Sequence, residues 1–127
     1  MSEVKAIVTD QAPAAIGPYS AAVSANGMVF ISGQLPVIPA TGELAQGGIE
    51  EQAAQSMRNV GALLAAAGTD FDHVVKTTIF LTDLGNFAAV NGVYASFFGK
   101  TFPARSCFQV AALPKGAPIE IEAIAVL

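Results

Sequence analysis

The alternation of apolar and polar positions divides the chain into a small set of elements. Asn26-Gly27 separates two apolar stretches, Tyr19 to Ala25 and Met28 to Gly33. Asn-Gly supplies the two positive φ angles of a type I′ turn, so the pattern predicts a β-hairpin. Leu35 to Gly48, punctuated by Pro36, Pro39 and Thr41-Gly42, reads as a loop. Ile49, Ala53, Met57, Val60 and Leu64 recur at three- and four-residue spacing, which predicts a helix from Ile49 to Ala67 stopped by Gly68. Val74 to Thr82 is rich in β-branched and aromatic residues and predicts a central strand. A second helix is expected from a cap at Asn86 to Phe98, with Phe87, Val90, Tyr94 and Phe97 facing inward and Gly99 as the stop. Pro103 then opens an extended segment, Arg105 to Leu113. A turn at Pro114, Gly116 and Pro118 leads to a last strand, Ile119 to Val126.

The order β-β-α-β-α-β-β, with room for a short N-terminal strand, mixes hairpins with crossovers. It predicts an α+β fold, a mixed β-sheet with two helices packed on one face. The chain offers no third helix for the other face, so neighbouring subunits are the natural cover. No linker, charge run or repeat divides the sequence, and residues 1–127 are expected to form a single domain.

Composition supports that picture. Of 127 residues, 53% are hydrophobic and only 13% charged, whereas domains commonly carry about 25% charged residues. So few charges leave an ordinary monomer surface poorly clothed, which points to buried contacts in a closed homo-oligomer. The same hydrophobicity excludes disorder. No stretch approaches about 18 apolar residues without a charge or turn signal, so no membrane span is expected. Glu3 and Asp10 flank a very short apolar patch, unlike a secretory signal. One Cys forms no internal disulfide, and one Cys with one His makes no usual zinc site. The net charge of −4, with six scattered basic residues, lacks the basic face of nucleic-acid binders. The expectation is a cytoplasmic protein with a small-molecule partner.

Few residues stand out chemically. Arg105 lies between Pro103 and an apolar strand, with no acid just ahead of it. Its planar, permanently charged fork suits a carboxylate, either of a small organic acid or of a distant Asp or Glu. Arg58, near Glu51 and Gln55, reads as a surface residue. Glu120 and Glu122 alternate with Ile119 and Ile121, so both carboxylates share one sheet face. That face is merely wet at an edge; in a sheet centre near a buried Arg, a carboxylate can orient or deprotonate a water. Glu122 reads as a wet-face residue. Cys107 and Gln109 share the face of Arg105 if Arg105 starts its strand. Cys107 reads as a small buried hydrophobe, and His73 as a surface residue.

Several segments together resemble the Rid (YjgF) family of imine deaminases, specifically its RidA subgroup. They are Gly17-Pro18-Tyr19-Ser20, Ile31-Ser32-Gly33-Gln34-Leu35-Pro36, Val75-Lys76-Thr77-Thr78, Asp83-Leu84 with Asn91 and Tyr94, Phe102-Pro103-Ala104-Arg105-Ser106-Cys107, and Ile119-Glu120-Ile121-Glu122-Ala123-Ile124-Ala125. The resemblance runs from about Ala12 to Val126, and Pro103 to Cys107 followed by Glu120 is its most diagnostic part. It implies a chorismate-mutase-like fold assembled as a homotrimer, with sheets inside, helices outside and three clefts at the subunit seams. It also implies hydrolysis of 2-imino acids, such as 2-iminobutanoate and 2-iminopropanoate, to 2-oxo acids and ammonia, with no metal or organic cofactor. On this sequence, Arg105 and the backbone N–H of Cys107 would bind the substrate carboxylate. Glu120 would hold the attacking water and pass protons to the amine. Ser32 and Asn91 would add hydrogen bonds at the reacting centre, and Tyr19 would form a lid or wall, with Phe87 as an apolar neighbour. Gln109 stands where an acid is often found nearby.

Two other functions fit parts of this pattern. A non-catalytic module binding a 2-oxo acid would use Arg105 equally well, and only Glu120 with its water separates catalysis from capture. A ribonuclease reading, also attached to the wider family, is opposed by the acidic composition and the lack of a His pair.

Overall fold

The computed structural model describes residues 3–127. Six strands form one sheet: β1 (Lys5–Ile7), β2 (Ala22–Ala25), β3 (Met28–Gln34), β4 (Val74–Leu81), β5 (Ala104–Gln109) and β6 (Ile119–Val126). Their spatial order is β1-β2-β3-β6-β4-β5. All neighbours are antiparallel except the β4–β5 pair, which α2 (Phe87–Ala95) connects as a parallel crossover.

The hairpin between β2 and β3 turns at Asn26 (φ 56°) and Gly27 (φ 75°), the conformation that pair was expected to supply. The long helix α1 (Ile49–Ala67) has the expected limits, and Gly68, at φ 90°, donates its N–H to Ala65 and Leu64 carbonyls. It packs on β3 and β6, while α2 packs against α1. Both helices therefore lie on one sheet face. Met57, Val60, Leu63 and Leu64 of α1 meet Val29, Ile79, Leu81, Ile119 and Ile121 of the sheet in a continuous buried core.

Two expected boundaries move. Asn86 makes no side-chain cap; Asp83 accepts from the Gly85 N–H and starts a short 3-10 turn, Leu84–Asn86, ahead of α2. The helix ends at Ala95 rather than Phe98, and residues 96–98 continue in tighter turns whose N–H groups reach back three residues. Likewise β5 stops at Gln109, short of Leu113.

A buried polar group absent from the periodic pattern fixes the loop after β3. Asn59 of α1 donates from Nδ2 to the carbonyls of Leu35 and Val37 at 3.1 and 2.8 Å, and Gln55 Nε2 donates to Asn59 Oδ1 at 2.9 Å.

Among the described residues no helix covers the other sheet face. It carries Phe30, cross-strand from Ile124, and Phe80 stacked on Phe108 with centroids 6.3 Å apart. Phe30 is 41% and Phe108 53% exposed. This open apolar face is the one the sequence left unpartnered.

Candidate active site

The strands β4 and β5 run in regular register, Thr77 beside Arg105 and Ile79 beside Cys107. Thr77 and Ile79 are buried on the helix side, so Arg105 and Cys107 project there too. The Arg105 guanidinium is partly buried. Its Nη1 donates to Asn91 Oδ1 of α2 at 2.7 Å. Its Cζ lies 5.3 Å from the Phe87 ring centre and 5.0 Å from that of Tyr94. Among the described residues the one ion pair is His73 with Asp70, so no carboxylate neutralises Arg105. Of its five N–H donors, Asn91 takes one. A cleft of about 430 Å³ opens over it, lined by Asn91, Tyr94, Ala95, Phe102, Pro103 and Arg105.

The backbone at Cys107 adds a donor. The Val110 N–H bonds to Leu81 O of β4 at 2.8 Å. Amides alternate sides along a strand, so the Cys107 N–H points away from β4, toward the free edge of the sheet. Burial pushes the Cys107 thiol up, and Arg105 only partly offsets this, so the thiol stays protonated and weakly nucleophilic at neutral pH. Gln109 has a local role: its Oε1 accepts from the Leu84 N–H at 2.9 Å, fastening the turn that leads into the helix carrying Phe87 and Asn91.

Glu120 stands elsewhere. It lies on central strand β6 opposite Phe80, while Ile119 and Ile121 on either side enter the core. Its side chain therefore projects from the open face, and Glu122 shares that face. Glu120 rests on Gly33: a methyl added there would lie 2.5 Å from Glu120 Cδ and 2.7 Å from Oε2. Burial, reinforced by the Glu122 charge, holds the Glu120 carboxyl above its ordinary value. Ser32, also on β3, donates its hydroxyl to Ser20 O at 2.7 Å and so ties down the loop bearing the exposed Tyr19. Ser32, Tyr19 and Glu122 line a cleft of about 370 Å³ on this side. A neighbouring cavity of about 400 Å³, walled by Ile16, Tyr19, Gly33, Leu35, Val37 and Pro114, reaches the Glu120 side through Gly33.

The expected site residues thus fall into two groups on opposite faces of one sheet. Arg105, Cys107, Asn91 and Phe87 meet on the helix side near the β5 edge. Glu120, Ser32 and Tyr19 gather on the open side. Tyr94 and Gly33, which touch Arg105 and Glu120, were not singled out from sequence for those contacts. Arg58 and His73 are exposed, as expected; Arg58 donates to Gln55 Oε1, and His73 Nδ1 meets Asp70 Oδ1 at 2.7 Å.

Comparison with known proteins places the chain in a family. The family model for Endoribonuclease L-PSP matches residues 9–127. The 2-iminobutanoate/2-iminopropanoate deaminase of Capra hircus is 56% identical over 120 residues, spanning 94% of this chain and 88% of the goat protein. The crystal structure of E. coli TdcF with bound serine superposes with a TM-score of 0.93 at 50% identity, covering 97% of this chain and 98% of that one. The E. coli YjgF gene product superposes with a TM-score of 0.92 at 52% identity, over 96% and 98% of the two chains. The chain belongs to the Endoribonuclease L-PSP family, the Rid (YjgF) family that its motifs resemble.

Proposed function

We propose that this protein hydrolyses reactive 2-imino acids, such as 2-iminobutanoate and 2-iminopropanoate, to 2-oxo acids and ammonia, at sites shared between subunits of a homotrimer. The observation that carries the reading is Arg105: a guanidinium without a carboxylate, lying over two rings and facing a cleft. Its remaining donors and the Cys107 N–H suit one small carboxylate. The goat relative is named for this reaction. TdcF holds serine, a small acid with nitrogen on the carbon next to its carboxylate, as in a 2-imino acid.

In one chain, Arg105 and Glu120 face opposite ways. A substrate with its carboxylate on Arg105 reaches a Glu120 only if a second copy brings its open face to the first copy's β5 edge. The exposed Phe30 and Phe108 give that face an apolar surface to bury, and the scarcity of charge agrees. A heterologous contact whose rotation closes forms a ring, and the family resemblance puts three copies, with three seams, in that ring.

The chemistry needs orientation and a proton path. Arg105 and the Cys107 N–H hold the carboxylate. Glu120, as carboxylate, takes a proton from a water whose oxygen bonds to the imine carbon, and passes it to the nitrogen that receives the C=N π electrons. It then takes the hydroxyl proton of the resulting carbinolamine and passes it to the same nitrogen; the C–N bond breaks, ammonia leaves and the C=O bond forms. Both protons of the water thus reach nitrogen, and water and imine become 2-oxo acid and ammonia in balance. A positioned acid–base group contributes about 10²–10⁴-fold. The apolar cavity beside Gly33 gives the substrate's alkyl group a place.

The family description also invites an RNA-cleaving reading. With six basic residues against ten acidic ones, the chain is poorly suited to a polyphosphate partner, and its single His73 is paired with Asp70 on the surface. The deciding experiment feeds imino acids, generated by an amino acid oxidase, to the protein and follows ammonia release. Arg105→Ala should lower kcat/KM at least about a hundredfold with the oligomer intact. Unchanged turnover would defeat the reading, and saturable binding of 2-oxobutanoate without catalysis would favour a binding module instead.

A further inference from the structure

The Arg105 guanidinium is held by a residue expected from sequence only as part of a helix's inward face and of the family pattern. We infer that Tyr94, itself fixed by Thr77, is a positioning residue that aims Arg105 at the substrate carboxylate; this rests on the deaminase reading above. Tyr94 is 5% exposed, and its hydroxyl meets the Thr77 hydroxyl at 2.6 Å in a buried hydrogen bond. Thr77 is itself 2% exposed, on β4 directly beside Arg105. The Tyr94 side chain therefore cannot swing to another rotamer without breaking this buried bond. Phe98 packs against the same ring with centroids 4.8 Å apart.

The Arg105 guanidinium rests on this fixed ring at 5.0 Å, with the Phe87 ring at 5.3 Å. Both distances lie within cation–π range. With Asn91 accepting one N–H, the group has little freedom except to present its remaining donors to the cleft. Burial pushes the Tyr94 hydroxyl up, so at neutral pH it is no phenolate competing for the cation. A long arginine side chain without a carboxylate partner would otherwise sample many rotamers, and binding would bear the cost of ordering it.

The test combines steady-state deamination with calorimetric binding of 2-oxobutanoate, using the full chain as its native oligomer. Tyr94→Phe and Thr77→Val each remove one hydroxyl of the pair and so cut the bond. Each should raise KM and the 2-oxobutanoate Kd by about three- to tenfold, with kcat held within about twofold. Thr77→Ser keeps the hydroxyl and should behave as the parent. The Tyr94→Phe/Thr77→Val double variant should be no worse than either single one, because both cut the same bond. Tyr94→Leu, which also removes the ring, should weaken binding by up to about thirtyfold; if it fails to fold, the Phe and Val variants decide alone. Unchanged KM and Kd in both hydroxyl variants would overturn the inference, as would a fall in kcat alone. If the parent binds 2-oxobutanoate but releases no ammonia, the deaminase reading falls, and the Kd series still decides the role of Tyr94.

Discussion

Arg105 donates from Nη1 to Asn91 Oδ1 at 2.7 Å, a neutral acceptor where a carboxylate would have neutralised it. The distinction bears on binding. Asn91 restrains the fork without cancelling its charge, so the charge remains available to a substrate. Asn91→Asp should convert the contact into an ion pair that competes with the substrate carboxylate. We predict a rise in KM of at least about tenfold, with a smaller rise in Asn91→Ala. Equal KM values for the Asp variant and the parent would show that Arg105 does not meet the substrate.

Gly33 lies under Glu120, and a Cβ there would fall 2.5–2.8 Å from the Glu120 side chain. The clash is with the mobile end of a side chain, not with backbone, so the fold should absorb it. Gly33→Ala is therefore expected to keep its melting temperature within a few degrees of the parent while kcat falls by about tenfold or more through displacement of the carboxylate. A full loss of folding, or unaltered kcat, would contradict the role assigned to this contact.

The pH dependence follows from the neighbouring acid. Burial first, and then the Glu122 charge, raise the Glu120 carboxyl above its ordinary value. As a base Glu120 works ionised, so activity falls as pH drops through that raised value. Glu122→Gln removes one of the two causes and should shift the acid limb of kcat/KM to lower pH. A limb that stays in place, or moves upward, would show that the titrating group is not Glu120.

Asn59 should report on the scaffold. Its amide satisfies two buried carbonyls, of Leu35 and Val37. Asn59→Ala leaves both unpaired and should cost about 1–3 kcal/mol in denaturant unfolding. A neutral substitution would mean that water replaces the lost donor.

Much of the scaffold was legible because its signals are local. Asn26-Gly27 sets its own turn, and the nineteen residues from Ile49 to Ala67 carry their helical stripe with the Gly68 stop directly after them. The limits of α2 were harder to read, since Asp83 and Asn86 are both good caps three residues apart, and only the fold shows that Asp83 takes the Gly85 N–H. The relative facing of Arg105 and Glu120 was hidden for a different reason. Period-two alternation gives the faces within one strand, but the register of β5 and β6 against β4 decides whether two strands' faces agree. Thr77 pairs with Arg105 and Phe80 with Glu120, which sets the two side chains on opposite sides. The Thr77–Tyr94 bond joins residues seventeen apart, and Asn59 reaches back twenty-four to Leu35; neither spacing marks itself in a sequence.

The most direct measurement is complementation between two inactive chains. Arg105→Ala and Glu120→Gln are co-expressed with different tags, mixed oligomers are purified through both tags, and ammonia release from 2-iminobutanoate is followed. With Arg105 from one chain and Glu120 from its neighbour, each mixed trimer restores both groups at one of its three seams, and activity should return toward a third of the parent's. Mixed oligomers no more active than the better single variant would place both residues in one chain's site and contradict the shared seam.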